Sequence, residues 1–143
     1  MKNLLNKIKW FFQRGKNGFC DYDTYSIDYW FLKTMPKLLQ RYVELNDKVA
    51  GGHPDFCSYD KWVGIIDEMI HCFKEAEEET CSMKNEYEYI FDKVTFKAKG
   101  DIEINKEDLK KYNDRQHEID VYRDKMLNKG LDLFKEYFRD LWW

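Results

Sequence analysis

Between Ser26 and Val49, apolar side chains recur at steps of three and four: Ile27, Trp30, Phe31, Met35, Leu38, Leu39, Tyr42, Leu45 and Val49. That spacing places them on one wide stripe of a helix, with Asp28, Lys33, Lys37, Arg41, Glu44 and Asp47 elsewhere on the circumference. A stripe this long needs cover on several sides, so the other segments must supply packing partners. Asp23 and Ser26 are candidate caps, because a short oxygen side chain accepts from the free N–H groups of a first turn. Pro36 lacks the N–H that would bond back four residues. A kink near Thr34–Met35 is expected, or two helices with Pro36 opening the second.

The sequence has 143 residues, enough for about one domain with a real core, and the whole of 1–143 reads as a single domain. Charge is nearly balanced, at −3 with 36% charged residues, so no global field attracts nucleic acid. The four cysteines, Cys20, Cys57, Cys72 and Cys81, have no repeating spacing and read as reduced, partly buried thiols. Lys7 and Lys9 interrupt the apolar start and no small-residue cleavage site follows, so no secretory leader is expected. No apolar run approaches the ~20 residues of a membrane span.

Residues 1–16 read as a basic amphipathic helix. Leu4, Leu5, Ile8, Phe11 and Phe12 form one face, surrounded by Lys2, Lys7, Lys9, Arg14 and Lys16 without an acid. Such a helix can lie on a membrane or an acidic partner, but a terminal helix docked on the core with a solvated basic rim is the expectation. The central helix covers 26–49, and Gly51–Gly52 with Pro54 ends it. Ser58 caps a second core helix over 59–80, with Trp62, Ile65, Ile66, Met69, Phe73 and Ala76 buried. Asp67, His71, Lys74, Glu75 and Glu78 mark its wet face. Its acidic end, EAEEE, is unfavourable at a helix C-terminus, so fraying or a basic neighbour is expected there. Alternation on either side of Lys99-Gly100-Asp101 signals a short hairpin at 93–104. Asn105 caps a C-terminal helical region over 106–143, which Gly130 divides before GLDLFKEYFRDLWW.

The stretch RGKNGFCDYDTYSIDYWFLKTMPKLLQRY and the terminal GLDLFKEYFRDLWW resemble the two ends of small uncharacterised proteins encoded by bacteriophages and prophages. In those proteins an aromatic-acidic entry leads to a helix, a GYP-like turn, and a helix of the type written here as YDKWVGIIDEMIHCF. This chain has Gly52-His53-Pro54 at the turn, with His53 where the relatives carry an aromatic. The resemblance covers about half the chain and includes no catalytic signature. It implies a phage gene expressed in a bacterial cytoplasm.

Several groups of residues suggest chemistry, each beside a plainer reading. His53, Cys57, His71, Cys72 and Cys81 supply nitrogen and sulfur for zinc, but paired C-x-x-C or H-x-x-x-H ligands are missing, and no metal is expected. Asp67, His71 and Glu75 stand at steps of four, as a general base and its orienting carboxylates would. Glu75, Glu77, Glu78 and Glu79, with Glu86, Glu88 and Asp92 further on, also suggest carboxylates holding magnesium. A solvated, salt-bridged helix face accounts for the same residues. No phosphate-cradling glycine loop, nucleophile elbow or kinase signature is present.

The aromatic surplus is more informative: 17% of residues, with ten Phe, ten Tyr and five Trp. Tyr22, Tyr25, Tyr29 and Trp30 cluster among Asp21, Asp23 and Asp28, and they form either part of an aromatic core or a contact surface. Lys33, Lys37 and Arg41 are the cations near them in sequence. The fold expected is mainly α, a bundle of about four helices with a hairpin inserted near 93–104. With the origin that the resemblance implies, the leading expectation is a phage accessory binding protein that counters host antiviral defence. It would dock on a host defence protein or sequester a small nucleotide through Tyr22, Tyr25, Tyr29, Trp30, Lys33, Lys37, Arg41 and His53. No cofactor, catalytic residue, duplex nucleic acid or membrane is expected, and Trp142 and Trp143 allow a homo-oligomer. The alternatives are a metal-dependent nucleotide hydrolase and a phage structural or assembly protein.

Overall fold

The structure is a computed structural model that describes residues 2–46, 54, 57–92 and 105–142. Its elements are helical: α1 (Lys2–Asn17), a 3-10 turn (Asp21–Tyr25), α2 (Ile27–Asn46), α3 (Tyr59–Ala76), the short α4 (Tyr89–Asp92) and α5 (Lys106–Tyr137), which runs on into a second 3-10 turn at Phe138–Asp140. Among the described residues there is no strand. The expected hairpin at 93–104 and the turn containing His53 lie outside the described residues.

The core is organised around α3 rather than around α2. Trp62, Ile66, Met69 and Phe73 have no exposed surface, and Ile70, Cys72 and Ala76 are buried with them. These residues occupy more than one side of α3, so α3 needs cover from two directions; α2 and α5 both pack on it. Leu39 is the buried residue that α2 adds to this cluster, Pro36 and Asn46 being buried on the same helix, and Phe31, Leu32, Met35, Tyr42 and Val43 lean on it. Ile27 and Leu38, read from the stripe as core, are exposed because α3 covers only part of that stripe. The Phe31 ring meets Phe73 edge-on at 5.2 Å, and Phe134 of α5 joins both.

α2 continues through Pro36 as one helix, so the alternative of two helices does not hold. Neither expected cap serves it. Asp23 accepts from Arg14 and from the Cys20 N–H, and the Ser26 hydroxyl donates to Asp28. Ser58 does cap α3, accepting from the Lys61 N–H at 3.4 Å, and Asn105 caps α5 through the Glu107 N–H at 2.9 Å.

Gly130 does not divide the C-terminal region, since α5 is a single helix of 32 residues that passes through it. The glycine is buried where α5 crosses α3. A Cβ there would stand 2.9 Å from Phe73 Cε1 and 3.0 Å from Cys72 Cβ. Glycine is needed for close approach, which no local pattern reveals.

The acidic end of α3 is also different from its expected wet face. Glu75 is buried, and its Oε2 accepts from the Ser82 N–H, the Ser82 hydroxyl and the Tyr122 hydroxyl at 3.0, 2.6 and 3.0 Å. Buried Glu77 accepts from the Thr80 N–H and hydroxyl. Basic neighbours sit at this end: Arg123 donates to Ala76 O, the last carbonyl of α3, and Lys84 to Glu78 O and Glu79 O in the turn that follows.

Candidate functional site

α1 is tied to the 3-10 turn by its polar side. Lys9 and Gln13 reach the Asp21 carboxylate at 2.7 and 2.8 Å. Arg14 grips Asp23 with two N–H groups, and the Trp10 ring lies 5.1 Å from that of Tyr22. Gly18, at φ 80°, ends the helix in the left-handed conformation that suits glycine, and its N–H bonds back to Arg14 O. The chain then returns against α1 and enters α2. The expected docking of α1 on the core does not occur: Leu4, Leu5, Ile8, Phe11 and Phe12 are all exposed. The polar side is paired with Asp21 and Asp23 instead, while α2, α3 and α5 fill the core among themselves.

This return encloses a groove of about 420 Å³. Tyr22, Tyr25, Tyr29 and Trp30 supply its aromatic walls, with Arg14, Asp23, Ser26, Lys33 and Thr34 between them. Tyr22, Tyr25 and Tyr29 are 55%, 86% and 45% exposed, so none of them is core. The Tyr22 and Tyr25 rings meet edge-on at 6.4 Å. Behind Trp30 a smaller apolar hollow of about 290 Å³ opens between Phe19, Thr24 and Ile27.

The cations of the groove are committed to carboxylates. Arg14 and the Cys20 N–H hold the Asp23 carboxyl down at about 2, well below the usual carboxylate range. Lys33 is bonded to Glu79, lies 3.9 Å from Glu77 Oε1, and sits over the Tyr29 ring at 4.8 Å. The bond to Glu79, then that to Tyr29, raises its pKa. Next to Tyr29 an acidic hollow of about 390 Å³ is lined by Asp28, Glu77, Glu78 and Glu79, with Arg123 at its edge. The surface as a whole offers aromatic faces beside a hollow with more carboxylates than cations, a chemistry that suits cationic and aromatic side chains of a partner.

Five of the eight residues expected to bind line the one groove: Tyr22, Tyr25, Tyr29, Trp30 and Lys33. Lys37 is exposed further along α2, Arg41 pairs with Glu44 at 2.9 Å, and His53 is outside the described residues. Arg14, Asp23 and Glu79 read in the sequence as a basic rim, a helix cap and a magnesium carboxylate, not as parts of a binding groove. Arg14 lies in a different helix, Asp23 resembles a cap, and Glu79 belongs to an acidic run. The only sequence signal for the first pair was one of opposite charges across a glycine turn.

Asp67 and His71 are exposed, whereas Glu75 is buried and engaged with Ser82 and Tyr122. Glu86 pairs with Arg115. Among the described residues no group of three or more His, Cys, Asp or Glu is arranged to hold a metal ion, and no helix is long and apolar enough to cross a membrane. Cys20, Cys72 and Cys81 are buried free thiols and Cys57 is half-buried. Comparison with protein-family models, curated proteins and solved structures finds no match.

Proposed function

We propose that this chain is a binding protein whose aromatic groove docks on a protein partner. In keeping with the phage resemblance of its two ends, the partner is a component of host antiviral defence in the bacterial cytoplasm. The observation that carries this reading is the exposure of Tyr22, Tyr25 and Tyr29 around one groove. Rigid rings left in solvent cost hydration free energy that a partner recovers by covering them. The electrostatics favour a protein with exposed Arg or Lys over a nucleotide. Arg14 and Lys33 would have to leave Asp23 and Glu79 to hold a phosphate, and carboxylates rim the neighbouring hollow.

A photo-crosslinking side chain at Tyr25, introduced into protein made in infected cells, tests this. A discrete host protein should be captured there and not from a control position at Val121, which is exposed on α5. Capture should disappear when Tyr22 and Tyr29 are replaced by Ala. Equal labelling from both positions, or recovery of a bound nucleotide in place of a protein, would overturn the reading.

A further inference from the structure

We infer that α1 is an in-plane anchor that lays this protein on an anionic bilayer surface. The inference is independent of the groove's partner. An amphipathic helix in a domain ordinarily turns its apolar face inward, and α1 does the reverse. Lys9, Trp10, Gln13 and Arg14 share one side and face the 3-10 turn. Leu4, Leu5, Ile8, Phe11 and Phe12 share the opposite side and point away from it, with Leu5, Phe11 and Phe12 at 66%, 74% and 69% exposure. Four side-chain contacts therefore fix the helix with its apolar face outward, as an interfacial helix must be held.

Charge decides the occupant. The first acid of the sequence is Asp21, so the whole of α1 is without a negative side chain and carries Lys2, Lys7, Lys9, Arg14 and Lys16. By helical spacing Lys7 borders the apolar face on one side and Lys16 on the other, and both are exposed. Lysines at the edges of an apolar stripe can keep their amines at headgroup level while their stems cover hydrocarbon. A membrane of anionic lipid meets both features at once, whereas face-to-face pairing of two α1 helices would bring their basic edges together. The expectation of a docked terminal helix, and with it that of no membrane partner, gives way here because the polar side of α1 has already taken the place against the domain.

Flotation with vesicles of phosphatidylglycerol and phosphatidylcholine, compared with phosphatidylcholine alone, reads the binding. The full chain should float with the anionic vesicles and much less with the neutral ones, and added salt should release it. Phe11→Ser/Phe12→Ser and, separately, Lys7→Glu/Lys16→Glu should each weaken partition by about tenfold or more. All four positions are exposed, so both variants should melt like the parent. A Tyr25→Ala/Tyr29→Ala protein, which alters the groove but none of the four contacts that hold α1, should still float, which separates a failure here from a failure of the groove. Equal partition of parent and Phe variant, or no preference for anionic lipid, would overturn the inference. So would a dimer in sedimentation without vesicles that Phe11→Ser/Phe12→Ser dissolves, since a second copy would then be what covers this face.

Discussion

Arg14 holds Asp23 with Nε at 3.1 Å and Nη2 at 2.6 Å, and this pair joins a basic helix to the wall of the aromatic groove. The Asp23 side chain is only 8% exposed, so it is the inner half of an ion pair whose outer half is in water. The same carboxylate accepts from the Cys20 N–H, which closes the 3-10 turn. Asp23 thereby links the attitude of α1, which it sets together with Asp21, to the shape of the groove.

Asp23→Ala should accordingly loosen α1, leaving it on Asp21 and Tyr22, without melting the domain. A helix of 16 residues is marginal on its own, and its ties to the turn supply what it lacks. Hydrogen exchange should accelerate on the order of tenfold across 2–17, while α3 and α5 keep their protection. Equal acceleration in α3 would contradict this separation.

Gly130→Ala sets two effects against each other. Alanine improves helix propensity by about 1 kcal/mol, but its methyl would meet Phe73 and Cys72 at near 3 Å. Overpacking of this kind costs about 1–3 kcal/mol, so we expect a lower melting temperature overall. A variant that melts at or above the parent would show that the α3–α5 crossing relaxes more easily than its geometry implies.

Glu75 should make stability depend on acid. Burial raises its pKa, but the hydrogen bonds from Ser82 and Tyr122 win and leave it below the ordinary 4.5. A carboxyl with a lowered folded-state pKa contributes stability that is present above its unfolded value and lost as pH falls through the folded one. Glu75→Gln should therefore cost about 1–3 kcal/mol at neutral pH, and the gap to the parent should narrow below 4.5. Urea melts across that range read it; a gap that does not change with pH would contradict the assignment.

How far the sequence discloses all this depends on whether a feature is local. The α3 stripe of Trp62, Ile66, Met69 and Phe73 is readable because burial there follows helical period. The burial of Glu75 is not, because its partner Tyr122 lies 47 residues away and a glutamate at a helix end ordinarily faces water. Gly130 looks like a stop for the same reason: its cause is a ring on another helix. For α1 the pattern gave the amphipathic face but not which side would be outward, since that rests on Asp21 and Asp23. The tyrosines of the entry are similar. Their clustering is visible in sequence, while core and contact surface share one composition and differ only in what packs over them.

The central claim, that the aromatic entry is a contact surface, is tested most directly by Tyr22→Ala/Tyr25→Ala, with a thermal melt read beside partner capture. Buried aromatic truncations would cost about 3–5 kcal/mol each, enough to abolish a cooperative melt in a small domain. Exposed as they are, the pair should cost about 1 kcal/mol or less, with the melt retained and capture lost. A double variant that loses its cooperative melt, or one that melts normally and still captures the partner, would contradict the account.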